Sequence, residues 1–501
     1  MFTRDELIAA AGVKPIGGVL PMRFVGGAVD SRQVRRGELF VALRGEQTDG
    51  HLYIGQAVRA GAAAILCARP SEEASARGVP QVVVPDPLDV LQRLGQLHLR
   101  AQRYTRVIAI TGSNGKTSVK EATAALLEHI APTLKTEGNL NTETGLPLTL
   151  LRLRPEHRLA VLEMGAQWVG EISMLCRIAP PDTAVVTVVG PEHLEFFGSL
   201  ANVATAESEA VAALPPDGIA ILNDDDRAVR KMAKRTRARV LTYGRRPAAL
   251  VRAQRVSGDT LGGFRFTISY AGQRERVVLH VPGQHAITTA LAAASVALSC
   301  GMTLHDAAVA LGGIRPVKRR GVILPGVNGS TLIDDSYNAN RQSALAAIDT
   351  LAGAKIPPGA RRWFVFGDML ELGTYAQAEH AAVGTAAVGR VDELVLVGSE
   401  VQATAEAAVQ AGMPDWRVRL FSASRANPAE LAAVRQAAAA YLRAYVRLHD
   451  LVLVKGSMGV GMDAIVAELL ERHDDKRSEA GTSEQVPLPA NRNFANPAPN
   501  P

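Results

Sequence analysis

Short runs of consecutive apolar residues recur along the chain, and longer amphipathic stretches separate them. VIAIT (107–111) is one such run, and SVKEATAALLEHI (118–130), just after it, spaces its apolar residues as a helix does. LAVLEM (159–164), TAVVTVV (183–189) and IAILN (219–223) repeat the pattern. A strand that is apolar on both faces needs cover on both. Such strands alternating with helices predict a parallel sheet with helices on either side. From about residue 316 a second set begins, STLIDD (330–335), WFVFGD (363–368), ELVLVG (393–398) and DLVLVKG (450–456), separated by Ala-rich helical stretches. It predicts a second doubly wound α/β unit. Upstream, GELFVAL (37–43) reads as a strand, 54–64 as a helix running into a strand at AAILCA (63–68), and 91–102 as a helical connector.

The predicted fold class is therefore α/β in three domains, residues 1–98, 99–316 and 317–473, followed by a Pro-rich tail, 474–501, predicted to be disordered. A length of 501 residues agrees with about three domains, and 47% hydrophobic with 21% charged residues excludes disordered and fibrous chains. The net charge of +6 favours polyanionic ligands without reaching a nucleic-acid-binding composition. The basic cluster RKMAKRTRAR (230–239) has no interleaved aromatics and reads as a solvated helix face. Three cysteines, Cys67, Cys176 and Cys300, lie far apart without a CxxC pair, which suits a reducing compartment. The N-terminus lacks a signal-peptide core. Ala290–Leu304, broken by Ser295 and Ser299, is shorter than the ~18 apolar residues of a membrane span and reads as a buried helix. The expectation is a soluble, cytoplasmic protein.

The strongest chemical signal is ITGSNGKTS (110–118), placed after a buried strand and before a helix, where a phosphate loop must sit. Thr111, Gly112, Ser113, Asn114, Gly115, Lys116, Thr117 and Ser118 form the candidate nucleotide cradle. The glycines let backbone N–H groups turn toward phosphate oxygens, Lys116 reaches the β/γ-phosphates, and the Thr117 hydroxyl faces Mg²⁺. Ile110 takes the place of the usual first glycine. Phosphoryl transfer also needs cation ligands, and Glu163, His193 and Glu207 stand at or after the ends of the following strands. IDDSYNAN (333–340) and FGDMLELG (366–373) each fit either ribose or phosphate recognition or a turn with Asx caps.

Taken together, TGSNGKT, EMGAQWVGEI, GPEHLEFFGSL, LNDDD, DDSYNAN, GDMLELG and LVKGS resemble the Mur ligase family, over about residues 30–468. Within it, DDSYNAN followed by GDMLELG is most particular to the member that adds D-alanyl-D-alanine. The resemblance implies a UDP-substrate domain, a central phosphate-loop ATPase and a Rossmann-like domain. It also implies ATP and Mg²⁺ as cofactors, and UDP-N-acetylmuramoyl-tripeptide and D-Ala-D-Ala as small-molecule substrates. The implied chemistry is amide-bond formation through an acyl phosphate in peptidoglycan precursor synthesis. The expected state is a monomer without nucleic-acid or membrane partners.

Carried over residue by residue, Lys116 and Thr117 hold the triphosphate and Mg²⁺, and Glu163 and His193 match the metal ligands. Arg320 and Asp335 match groups that reach the nucleotide phosphates and ribose. Asn139, Asn141, Asn338 and Lys455 match substrate-side positions, and Ser31 and Arg32 fall in the UDP-binding stretch. The sequence departs from the family at several points. Glu207 stands where the family has a lysine carbamylated by CO₂, so it is expected to supply the anionic group directly. Ala286 and Thr289 replace asparagines, and Thr142, Arg341 and Met458 replace Asn, Pro and Arg. Two rival readings are another amide ligase of the superfamily, such as a folylpolyglutamate synthase, and a non-catalytic nucleotide-binding homologue. The DSR…GELFVALRGE segment argues for a UDP-sugar substrate over folate.

Overall fold

The computed structural model describes residues 1–45 and 48–471; the predicted disordered tail, 474–501, lies outside the described residues. A small antiparallel pair, β1 (Phe2–Thr3) and β2 (Arg23–Phe24), precedes a four-stranded parallel sheet of β3 (Gly27–Ala28), β4 (Leu39–Val41), β5 (Ala64–Cys67) and β6 (Gln81–Val83). The strand predicted over 37–43 keeps only its three central residues. The helix predicted over 54–64 ends at Arg59, short of a turn at Gly61, whose φ of +97° suits glycine.

The connector helix starts earlier than the apolar spacing predicts, at Pro87. Asp86 caps it by accepting from the N–H groups of Leu88 and Asp89, and Pro87 occupies the first turn, where no N–H is needed. It runs to Ala101 and delivers the chain to the central sheet.

That sheet has nine strands in the order β15-β14-β13-β12-β11-β10-β7-β9-β8. They are β7 (Arg106–Thr111), β8 (Thr133–Lys135), β9 (Leu159–Glu163), β10 (Thr183–Val186), β11 (Ile219–Asn223), β12 (Arg239–Gly244), β13 (Val251–Asp259), β14 (Gly263–Tyr270) and β15 (Gln273–Leu279). The run from β8 to β13 is parallel; β14 and β15 extend it antiparallel. β7 shows why its residues are all apolar. Ile108 and Ile110 pack with the helices Lys116–Leu127 and His285–Ser299, while Val107 and Ala109 pack on the other face with Leu146, Leu150 and Leu175. The Ala-rich stretch read as a buried helix is His285–Ser299, with ten buried residues. Among the described residues no helix is long and apolar enough to cross a membrane.

The basic cluster is less regular than predicted. A helix, Arg227–Lys231, gives way to a 3-10 turn, Met232–Arg235, with Val229 and Met232 buried and Lys231, Lys234, Arg235, Arg237 and Arg239 exposed.

The last sheet has six strands in the order β16-β17-β21-β18-β19-β20. They are β16 (Val322–Gly326), β17 (Ser330–Asp335), β18 (Arg362–Gly367), β19 (Glu393–Val397), β20 (Val418–Phe421) and β21 (Leu451–Lys455). All neighbours are parallel except β16 and β17. The carboxyl ends of its parallel strands and those of the central sheet open onto one shared cleft.

Candidate active site

A cleft of about 1390 Å³ lies between the central and last sheets. Residues from Ser113 to Ser118, with Asn139, Asn141, Glu163, His193, Arg320, Asp335, Asn338 and Lys455, line it. Most of the sequence-predicted site residues are thus brought together. Thr111, Gly112 and Glu207 lie behind the lining, beneath the loop. Ser31 and Arg32 stand elsewhere, among the residues near the N-terminal sheet. There the buried Ser31 hydroxyl donates to Gln56 Oε1 at 3.0 Å and the exposed Arg32 pairs with Asp30.

The phosphate loop is braced from below. A Cβ on Gly112 would lie 2.0 Å from Thr187 Oγ1, and its φ is +124°, so only glycine fits. Thr187 Oγ1 donates to Asn114 O at 2.6 Å, and Gly190 N–H donates to Ser113 Oγ at 2.9 Å. Gly115, at φ +82°, turns the chain into the helix Lys116–Leu127, whose N-terminal end faces the cleft. Free N–H groups and the helix dipole there favour an anion.

Lys116 Nζ donates to Gly112 O at 2.7 Å and to Glu192 Oε2 at 3.1 Å. Burial works against its charge, but Glu192, Glu207 and Glu163 outweigh burial and raise its pKa. The lysine is thus held as a cation beside the loop. Glu192 was not singled out from the sequence; an acid immediately before His193 in GPEH was the available signal.

Glu163, at the end of β9, accepts from Asn141 Nδ2 at 2.9 Å and Thr117 Oγ1 at 3.2 Å. Its Oε2 is buried and has no hydrogen-bond partner, with the fully buried Lys120 ammonium at 3.7 Å. Arg320 donates to Thr117 Oγ1 at 3.1 Å and stacks on Tyr337, 4.2 Å from the ring centroid. Glu207 accepts from Thr111 Oγ1 at 2.5 Å, and burial pushes its pKa up to about 7 against the pull of Lys116. His193 is half-buried and its pKa is raised: burial opposes protonation, but Glu371 at Nδ1 and the neighbouring Glu192 outweigh it.

Among the described residues no three His, Cys, Asp or Glu side chains are grouped closely enough to enclose a metal ion. That arrangement is compatible with Mg²⁺, which keeps several waters and takes one or two carboxylates plus substrate phosphates. Glu163 offers the hard-oxygen donors such an ion needs, Oε1 beside the Thr117 hydroxyl and Oε2 without a hydrogen-bond partner.

Both ambiguous motifs combine capping with a cleft-facing group. In IDDSYNAN, Asp334 accepts from Ser336 N and Oγ, and Asn340 caps the helix Arg341–Gly353. Asp335, however, faces the cleft and pairs with Lys455 Nζ at 2.7 Å, while Lys455 also donates to Asn338 O at 2.9 Å. In FGDMLELG, Asp368 accepts from Ser399 and Val401 N–H, and Glu371 reaches His193. Asn114 and Asn340 exchange amide hydrogen bonds at 2.9 and 3.2 Å, joining the phosphate loop to the last domain. Of the departures, Ala286, Thr289, Thr142 and Met458 line the cleft, whereas Arg341 pairs with Glu379 at 2.9 Å.

Comparison with known proteins bears on these features. Three family profiles match in order: "Mur ligase family, catalytic domain" over 23–98, "Mur ligase middle domain" over 110–297 and "Mur ligase, glutamate ligase domain" over 319–458. A UDP-N-acetylmuramoyl-tripeptide–D-alanyl-D-alanine ligase of Mycobacterium tuberculosis is 39% identical over 475 residues, covering 88% of this chain and 91% of the relative. Among solved structures, MurF from Acinetobacter baumannii superposes with a TM-score of 0.82 at 29% identity, covering 94% of this chain and 99% of that one. MurF ligase from Thermotoga maritima, solved in complex with ADP, gives 0.73 at 27% identity over 88% and 96%. The three matched regions span the chain in the order of its three larger sheets, and with the 39% identity to that relative this chain belongs to the Mur ligase family.

Proposed function

We propose that this chain is an ATP-dependent ligase that joins D-alanyl-D-alanine to UDP-N-acetylmuramoyl-tripeptide in peptidoglycan precursor synthesis, working in the cytoplasm. The observation that carries the reading is the 39% identity to a ligase of that name over 91% of its length, with a phosphate loop at the centre of the shared cleft.

A free carboxylate is a poor electrophile, and transfer of the γ-phosphoryl group gives the tripeptide carboxyl a good leaving group. The dipeptide amine then attacks, and phosphate departs as the amide forms. Loop N–H groups, Lys116 and Arg320 neutralise charge that builds on the phosphates. Thr117 and Glu163, with His193 and Glu207 nearby, would hold Mg²⁺, and such an ion would supply charge neutralisation at the phosphate oxygens. Asp335 accepts from the nucleotide ribose after Lys455 gives way or tilts. Asn139, Asn141 and Asn338 face the peptide substrate, and Ser31 and Arg32 the uridine diphosphate. Glu207 brings its own carboxyl group, which a bound cation would hold ionised, in place of a carbamate, so catalysis needs no CO₂.

Product analysis by mass spectrometry tests the reading. The chain, ATP, Mg²⁺ and UDP-N-acetylmuramoyl-tripeptide are incubated with D-Ala-D-Ala, a diamino acid or glutamate in parallel. A mass gain of one dipeptide with D-Ala-D-Ala alone is expected; incorporation of a single amino acid instead would assign a different ligase of the family.

A further inference from the structure

Two non-glycine residues with left-handed backbones meet where the central and last domains touch. His193 has φ +51° and Glu371 has φ +62°. Residues with a Cβ adopt that conformation uncommonly and at a cost in free energy. Here the contacts that impose it are visible. The Glu371 carboxylate binds His193 Nδ1, and the Glu371 carbonyl accepts from Glu195 N–H at 3.1 Å. Two residues on, a Cβ at Gly373 would lie 3.3 Å from the Glu195 backbone, and Tyr375 Oη donates to Gly198 O at 3.1 Å. The segment 371–375 is therefore seated on the segment 193–198.

The other ring nitrogen of His193 faces the phosphate loop. Nε2 lies 3.6 Å from Glu192 Oε1, and Glu192 Oε2 lies 3.1 Å from Lys116 Nζ. An unbroken line of contacts thus runs from the last domain, through Glu371, His193 and Glu192, to the lysine of the phosphate loop.

From this geometry we propose that Glu371 is the positioning residue for His193, supplied by the last domain, so that docking of that domain completes the cation–nucleotide site. The proposal rests on the reading above in which His193 faces the bound cation. A neutral histidine whose Nδ1–H is held by a carboxylate is fixed in the tautomer that leaves Nε2 as a lone pair, and its ring orientation is fixed with it. Without Glu371 the ring is free to turn and to carry its proton on Nε2, which then offers no lone pair. Because coupling is reciprocal, cation and nucleotide binding in turn favours the docked domain.

The test is ADP binding to the full chain, followed by calorimetry across a Mg²⁺ series for the parent, Glu371→Ala, His193→Ala and the double variant. Glu371→Ala is expected to raise the Mg²⁺ needed for half-maximal ADP binding by about tenfold, the lower end of what losing a carboxylate behind a ligating histidine does. ADP binding without Mg²⁺ weakens far less than binding with it, and the double variant behaves as His193→Ala alone. Should Glu371→Ala not fold, Glu371→Gln keeps the side chain's size and a carbonyl acceptor for Nδ1–H, and an intermediate shift is expected. A parent-like Mg²⁺ series in the folded Glu371 variant, or additive effects in the double variant, overturns the proposal alone. A parent whose ADP binding ignores both Mg²⁺ and His193→Ala overturns the underlying reading as well.

Discussion

Glu207 lies buried beneath the phosphate loop with a hydrogen bond from Thr111 and a pKa raised to about 7 by burial. A carboxyl whose pKa is higher in the folded than in the unfolded chain takes up a proton on folding. The empty protein therefore loses stability from this group as pH rises from about 4.5 toward 7. Glu207→Gln removes that loss, so its melting temperature should exceed the parent's at pH 8 and approach it at pH 5. Equal or lower melting at pH 8 would contradict the assignment. The same variant should lose Mg²⁺-dependent nucleotide binding, because a neutral amide is a poor partner for the ion. Glu6 shows the opposite sign. Burial opposes its charge, but the hydrogen bonds from His98 and from the Thr3 N–H and hydroxyl together outweigh it and lower the pKa to about 2. Its contribution is present above about 4.5 and lost as pH falls toward 2. Glu6→Gln should therefore destabilise the N-terminal region at neutral pH and narrow its difference from the parent in acid, read by thermal melts across that range.

At the scale of elements, the strand–loop–helix unit around Gly112 makes a sharp prediction. Gly112→Ala drives a Cβ into Thr187 and should abolish nucleotide binding. Gly115→Ala meets nothing within 4 Å and incurs only the left-handed backbone penalty of about 1 kcal/mol. Isothermal titration with ADP separates the two, and equal effects would show that the loop is not braced as described. Elements of this kind were legible because each residue answers to local rules: β7 is apolar on both faces, and the loop has its glycines where the chain must turn. The antiparallel strands β14 and β15 were not. FRFTISY and QRERVVL carry arginines and polar residues that break the apolar runs used to find strands, because β15 is the sheet's edge, β14 lies next to it, and both have one wetter face. Likewise Asp86 and Pro87 started a helix four residues before its apolar spacing announced it. Among site residues, the loop, Glu163 and His193 were legible from spacing and resemblance. Glu192 and Glu371 were not, since each acts through a partner distant in sequence or from another domain.

Across the whole molecule, the cleft exists only because two sheets present the carboxyl ends of their strands to each other. The contacts between the two domains include polar pairs at the cleft, among them Asn114 with Asn340, Arg320 with Thr117, Glu371 with His193 and Tyr375 with Gly198. Such an interface suits a domain that docks and releases, with water excluded while the acyl phosphate exists. Asn340→Ala removes both an interdomain amide pair and a helix N-cap. The cap should cost about 1 kcal/mol in denaturant unfolding, while the lost pair should lower kcat more than it weakens ADP binding. A variant with normal kcat would show that this contact has no part in closure.

On the proposed function, one cleft couples ATP cleavage to amide-bond formation between two particular substrates. Phosphate release in CO₂-depleted buffer, with ATP and Mg²⁺, tests it most directly. The predicted result is release that requires UDP-N-acetylmuramoyl-tripeptide and D-Ala-D-Ala together and does not respond to bicarbonate. Release that begins only when bicarbonate is added would contradict the role given to Glu207, and no release under either condition would contradict the ligase itself.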